Sequence, residues 1–170
     1  MDALFTRADY LALPEGFPAQ LIEGCLVKEA SPLYGHQQVV QDIHEALTAI
    51  LPLRRVMLGP LEVSINDWNS YHPDVAVFRE VPPADERGTL MPLAVFEVLS
   101  KSTERFDRGV KRKNYLKAGV LEVWLADRAA QTLELHSRDG VRTATGTELL
   151  ASAVLAGFSL VPAILFAPPH

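Results

Sequence analysis

Apolar residues recur at three- and four-residue steps through Val39, Val40, Ile43, Leu47, Ile50 and Leu51, with Gln37, Gln38, Gln41, Asp42 and Glu45 between them. That is the period of an amphipathic helix, predicted over about 35–51 and stopped by Pro52. The pattern then changes. Pro73-Asp74-Val75-Ala76-Val77-Phe78 and Leu93 through Leu99 are short, continuous apolar runs bounded by turn residues, as expected of central strands buried on both faces. Residues 79–92 between them hold three prolines and Asp85-Glu86-Arg87-Gly88, a long loop.

Further elements follow from local signals. Thr6 and Asp9 form a capping pair ahead of a short helix over 6–13, ended by Pro14. The run QLIEGCLVKEA over 20–30 places Gly24 between apolar stretches and suggests a strand or hairpin. Residues 55–65 have β-character interrupted by Gly59-Pro60, and Asn66, Asp67, Asn69 and Ser70 read as a turn. A helix is predicted over 104–118, ended by Gly119; strands follow at Leu121–Ala126 and Gln131–His136, joined at Asp127-Arg128. The tail, with Gly157, Phe158, Leu160, Ile164, Leu165 and Phe166, reads as a strand and a short helix. Alternating helices and strands predict an α/β (α+β) class, a mixed central sheet with at least one helix on each side. Residues 1–170 are expected to form one domain.

Composition narrows the function. Apolar residues make up 48% and charged residues 22%, which suits a folded globule. A net charge of −5 argues against general polyanion binding, which rests on many Lys and Arg contacts to phosphate. One stretch is locally basic: Lys101, Arg105, Arg108, Lys111, Arg112, Lys113 and Lys117 stand against Glu104 and Asp107. It is either a solvated helix face or a local phosphate contact. Cys25, the single cysteine, allows no intrachain disulfide and reads as an ordinary strand residue. The N-terminus, with Asp2, lacks the cationic and apolar regions of a secretory leader, and no stretch reaches membrane-span length, so a cytoplasmic protein is expected.

Asp74 opens one apolar run and Glu97 lies inside the other. A carboxylate among Val, Phe and Leu costs several kcal/mol, on the order of a lost solvation shell, unless something compensates. A divalent cation bound by both acids would do so; salt bridges or strand-end capping would do so equally. His36 is either a helix-start residue bonded to a loop carbonyl or a second-layer phosphate contact. His44 lies too far along for a zinc helix, and His72 reads as a loop residue. Trp124 sits in an apolar run and reads as core; Ser100, Ser102 and Thr103 suit phosphate contacts or helix caps. A phosphate-binding glycine loop and a nucleophile elbow are absent from the sequence.

The segments PDVAVF, AVFEVLSKST and DRGVKRKNYLKAGVLEVWLAD, with LIEGCLV and SPLYGHQQVV upstream and LAGFSL downstream, resemble the Uma-two family of putative restriction endonucleases, of the PD-(D/E)xK nuclease superfamily. The resemblance implies a restriction-endonuclease-like fold and metal-dependent phosphodiester hydrolysis, with DNA as the expected substrate and Mg2+, or Mn2+ in its place, as cofactor. It places the paired metal-binding acids on Asp74 and Glu97, with the carbonyl of Val98 as a further ligand. Leu99 stands where the superfamily lysine is expected, and the resemblance moves that role to Lys111, in Asp107-x-x-x-Lys111-x-x-x-Tyr115, along one helical face. Lys101 is the rival. Glu23, His36, Asp107 and Tyr115 are candidate supporting residues. Two departures stand out: Gln20 occupies a position where the family usually has glutamate, with Glu23 in place of an aspartate, and Val123 replaces an aromatic residue. Three readings stay open at this point: an endonuclease, a nucleic-acid or protein binding module on the same fold, and a purely structural homodimer. Cutting two strands with one small site also makes a homodimeric nuclease attractive.

Overall fold

The computed structural model describes residues 4–168; Asp2 lies outside them. Helix α1 (Arg7–Leu11) starts on a capping box between Thr6 and Asp9. Strands β1 (Ala19–Ile22) and β2 (Cys25–Lys28) pair antiparallel around Glu23-Gly24, whose φ values of 51° and 74° suit a tight two-residue hairpin turn. Helix α2 (Tyr34–Thr48) buries Val39, Val40, Ile43 and Leu47, the apolar stripe that its period predicts. Then come β3 (Val56–Leu58), β4 (Val63–Asn66), β5 (Asn69–Tyr71), β6 (Val75–Val77) and β7 (Ala94–Val98). Helix α3 (Glu104–Phe106), a wide π-type turn (Asp107–Lys111) and α4 (Arg112–Ala118) lead into β8 (Glu122–Asp127), β9 (Thr132–Ser137) and β10 (Gly140–Thr145). β11 (Leu150–Ala151), β12 (Ser159–Leu160) and α5 (Pro162–Leu165) close the chain.

A six-stranded mixed sheet, ordered β10-β9-β8-β7-β6-β3, forms the centre. Only β7 and β8 run parallel within it, and the α3–α4 segment supplies the crossover such a pair needs. A second sheet, β2-β1-β5-β4, and a small β11-β12 pair complete the strands. Alternation along β6 and β7 sends Val75, Val77, Ala94, Phe96 and Val98 into a core with α2. Ala76, Phe78 and Val95 point the other way, into a second core with Tyr115, Ile22 and Val63. Both faces of the central strands are therefore covered, which is why their sequences are continuous apolar runs.

Two local expectations are corrected. Asn69 and Ser70 are buried strand residues of β5 rather than turn residues; only Asp67 and Trp68 separate the strands. The helix predicted over 104–118 is broken at Gly109, whose φ −100° and ψ −107° are non-helical. β10 has no apolar alternation because it is an edge strand, with Ala144 its one buried residue.

Candidate active site

β6 and β7 pair antiparallel with Val75 opposite Phe96, so extending that register by one residue sets Asp74 opposite Glu97. Directly opposed residues share a sheet face. The face is the one covered by α4 and the second sheet, since Glu97 alternates with Val95. The main chain locks Asp74 in place: Oδ2 accepts from the Val98 N–H at 2.7 Å, and the Asp74 carbonyl accepts from Gly59 N at 2.9 Å. A Cβ at Gly59 would lie 2.6 Å from the Pro73 carbonyl oxygen, so only glycine permits this approach.

Glu97 is 3% exposed and is gripped at one oxygen, Oε1, by Lys111 Nζ at 2.9 Å and the Tyr115 hydroxyl at 3.1 Å. Lys111, 2% exposed, also pairs with Asp107 Oδ1 at 2.7 Å; that atom lacks a well-angled hydrogen bond, and the ion pair is what compensates it. Asp107 before the kink at Gly109 and Lys111 and Tyr115 after it thus converge on one cluster with Glu97. His36, on the first turn of α2, brings Nε2 within 3.5 Å of Asp74 Oδ2. Two carboxylates, the Val98 peptide, an imidazole and an ammonium therefore meet at the C-terminal end of β7.

Charge is unbalanced here. Burial pushes the Glu97 carboxyl well above the usual carboxylate range, with Lys111 opposing and Asp107 and Asp74 adding to the rise. Burial alone would discharge Lys111, yet Glu97 and Asp107 hold it protonated and raise it further. Both directions are consistent because three acids share one lysine. Burial would likewise lower His36, but Asp74 and the Val98 carbonyl raise it above a free imidazole.

Other candidates fall elsewhere. Glu23 is exposed in the β1–β2 turn, and its side chain bonds none of Asp74, Glu97, Asp107 or Lys111 among the described residues. Lys101 is exposed. Three of the seven cations of the basic segment are committed internally: Arg108 pairs with Glu104, Asp127 and Glu134, Lys111 with Glu97 and Asp107, and Arg112 bonds His136, while Lys101, Arg105, Lys113 and Lys117 are exposed and make no salt bridge among the described residues. Ser100 bonds Ser102 and Thr103, and none of the three makes a side-chain cap for α3. Trp124 is core, its indole N–H donating to the buried Glu122.

The family model described as "Putative restriction endonuclease" (Uma2) matches residues 7–163. The chain belongs to the Uma-two family. No curated protein matches it. Among solved structures, a putative nuclease belonging to DUF820 from Anabaena variabilis ATCC 29413 is similar, with a TM-score of 0.82 and 22% identity over 96% of this chain and 98% of that one. At that identity the likeness speaks for the fold: this Uma-two chain has the mixed sheet of a nuclease fold.

The sequence pattern missed one cluster beside the site. Gln20, 5% exposed, donates through Nε2 to Glu29 at 2.7 Å and accepts the His72 N–H at 3.0 Å. His72 in turn bonds Glu29 and Tyr10, at 3.0 and 2.9 Å. A small cavity of about 10 Å³ separates Gln20 and Glu29 from Asp107 and Lys111. Gln20 is thus explained locally: its amide bonds Glu29, where a carboxylate would meet another carboxylate. The Pro-Asp motif after His72 and the departure at Gln20 are the sequence hints to this cluster.

Proposed function

We propose that this chain is a divalent-cation-dependent endonuclease acting on DNA, with Asp74, Glu97 and the Val98 carbonyl as the protein's ligands for Mg2+. The observation that carries the reading is the acid surplus: two carboxylates set opposite each other on one sheet face, beside a third at Asp107, with one buried lysine among them. The donors fit the ion. Among the described residues no group of three or more His, Cys, Asp or Glu side chains is arranged around one point. Mg2+ does not require one, because it binds through one or two carboxylates and completes its octahedron with water and substrate phosphate. Asp74 Oδ1 and Glu97 Oε2 make no hydrogen bond among the described residues and supply the two oxygens.

When bound, such a cation polarises a phosphoryl oxygen and makes water more acidic. The chain's own residues do the rest. Tyr115 and Lys111 fix Glu97 by one oxygen, so the other is presented in a single orientation. Lys111 remains an ammonium between Glu97 and Asp107, so it acts as a donor rather than a base. Its ammonium, paired with those acids, supplies the positive charge that would stabilise negative charge growing on phosphorus-bound oxygen. His36, whose imidazole Asp74 holds above its ordinary pKa, stands at the same strand end.

A plasmid-nicking assay with magnesium, manganese and calcium, comparing the wild type with Asp74→Ala, tests the reading. Nicking supported by magnesium or manganese and lost in Asp74→Ala is expected. Equal behaviour of both proteins in every metal, with no saturable metal binding by calorimetry, would overturn it in favour of a binding module on the same fold. A homodimer, proposed for cutting both strands, is checked by light scattering.

A further inference from the structure

The cations nearest the acids are already engaged: Arg108, Lys111 and Arg112 are tied to neighbouring side chains, and the net charge is −5, although Lys101, Arg105, Lys113 and Lys117 are exposed and make no salt bridge among the described residues. Duplex binding through the backbone scales with the number of phosphates neutralised, so a net acidic chain gains from a source of affinity besides phosphate contacts.

The start of α2 offers one. Leu33 stands at the N-cap, where Ser, Thr, Asp or Asn would stabilise the helix; it makes no cap hydrogen bond and is 77% exposed. Tyr34 follows at 82% exposure. Neither residue serves the helix or the core, and positions that break local rules without a stability gain are expected at functional surfaces. His36, two residues on, touches Asp74, the part of the acid pair whose side chain is 25% exposed. The Arg128 guanidinium lies against Gly35, in the space any Cβ there would fill. Arg128 is exposed and makes no ion pair or hydrogen bond among the described residues. It follows β8, the parallel neighbour of the strand carrying Glu97 and Val98.

An exposed aromatic ring and an aliphatic side chain next to one unpaired cation suit an unstacked base and its own phosphate, the chemistry by which single strands are held. We propose that Leu33, Tyr34 and Arg128 form a lip that takes an unpaired nucleotide flanking the scissile phosphodiester, so that the preferred substrate class is single-stranded nucleic acid or an unpaired segment of a duplex. The proposal rests on the nuclease reading above and specifies its substrate.

Anisotropy of a fluorescein-labelled single strand, and of the same sequence as a blunt duplex, measured in calcium, tests it. The wild type binds the single strand at least about tenfold more tightly. Tyr34→Ala loses about tenfold on the single strand, the scale of one stacked base, and Tyr34→Phe restores it. Arg128→Gln weakens binding and lowers the salt slope by about one. Gly35→Ala places a better helix former but displaces the guanidinium, so affinity falls while the melting temperature does not. If duplex binds as well as single strand, or Tyr34→Ala matches the wild type, while nicking still depends on Asp74, the lip is refuted and the nuclease reading stands. If the wild type binds neither probe and nicks nothing, both fall together.

Discussion

Lys111→Met removes the one cation buried among three acids while keeping most of the side-chain volume, so it isolates charge from cavity effects. Lys111 is 2% exposed and pairs at 2.9 and 2.7 Å with Glu97 and Asp107. Breaking a buried pair from one side costs about 3–5 kcal/mol, because the remaining charge has lost its compensation. That is a large part of the roughly 5–15 kcal/mol that holds a domain together. The stranded acids can escape by taking up protons. Their folded pKa values in the variant then lie above the unfolded ones, so the penalty is absent below the ordinary carboxylate range. It grows as pH rises through the folded values, by about 1.4 kcal/mol per pH unit per group. Urea unfolding of wild type and variant at pH 5 and pH 8, followed by circular dichroism, reads the difference directly. A loss of several kcal/mol at pH 8 that shrinks toward pH 5 is expected, and Glu97→Gln combined with Lys111→Met recovers part of it, since one of the two stranded partners, Glu97, is neutralised while Asp107 stays uncompensated. A variant within about 1 kcal/mol of wild type, or a penalty equal at both pH values, would show that Lys111 is not the counter-ion of this cluster. Nicking by the variant is then interpretable only where it is folded, with exposed Lys101→Ala as the control that loses little activity.

Two further predictions concern structure around the site. Burial would raise Glu29, but bonds from His72 and Gln20 prevail and hold its carboxyl below the usual value. Its stabilising contribution is therefore complete above the ordinary pKa and lost as pH falls through the lower, folded one; Glu29→Ala should move the acid-unfolding midpoint to higher pH, and an unmoved midpoint would count against the network. Arg108→Ala removes contacts to Glu104, Asp127 and Glu134 at a partly exposed position, for a cost of about 1 kcal/mol that falls with added salt. A salt-independent loss in thermal melts would point to packing instead.

Much of this was legible in the chain because it depends on periods and local chemistry. The 3.6-residue stripe of α2, the capping box at Thr6 and Asp9, and two apolar runs each carrying one acid are properties of neighbours in sequence. Burial on both faces follows from the unbroken apolarity of β6 and β7, and the cost of an acid there marks Asp74 and Glu97 for attention. What pairing and packing decide is not written in any window. The β6–β7 register puts the two acids on one face, and a shift of a single residue would have separated them. The chain break at Gly109, invisible in a helical pattern, is what Lys111 and Asp107 pass through to reach Glu97 together. Gln20, Glu29, His72 and Tyr10 come from separate segments and meet only because the second sheet folds over the first. Of the basic stretch that composition offered to phosphate, Arg108 and Arg112 are engaged by Glu104, Asp127, Glu134 and His136, since a charge pairs with whatever the fold sets within about 4 Å, while Lys101, Arg105, Lys113 and Lys117 stay exposed. Sequence by itself determined which residues could not be buried without a partner; tertiary structure alone chose the partners, because ion pairs and cross-strand contacts depend on distances of a few ångströms that local periodicity does not encode.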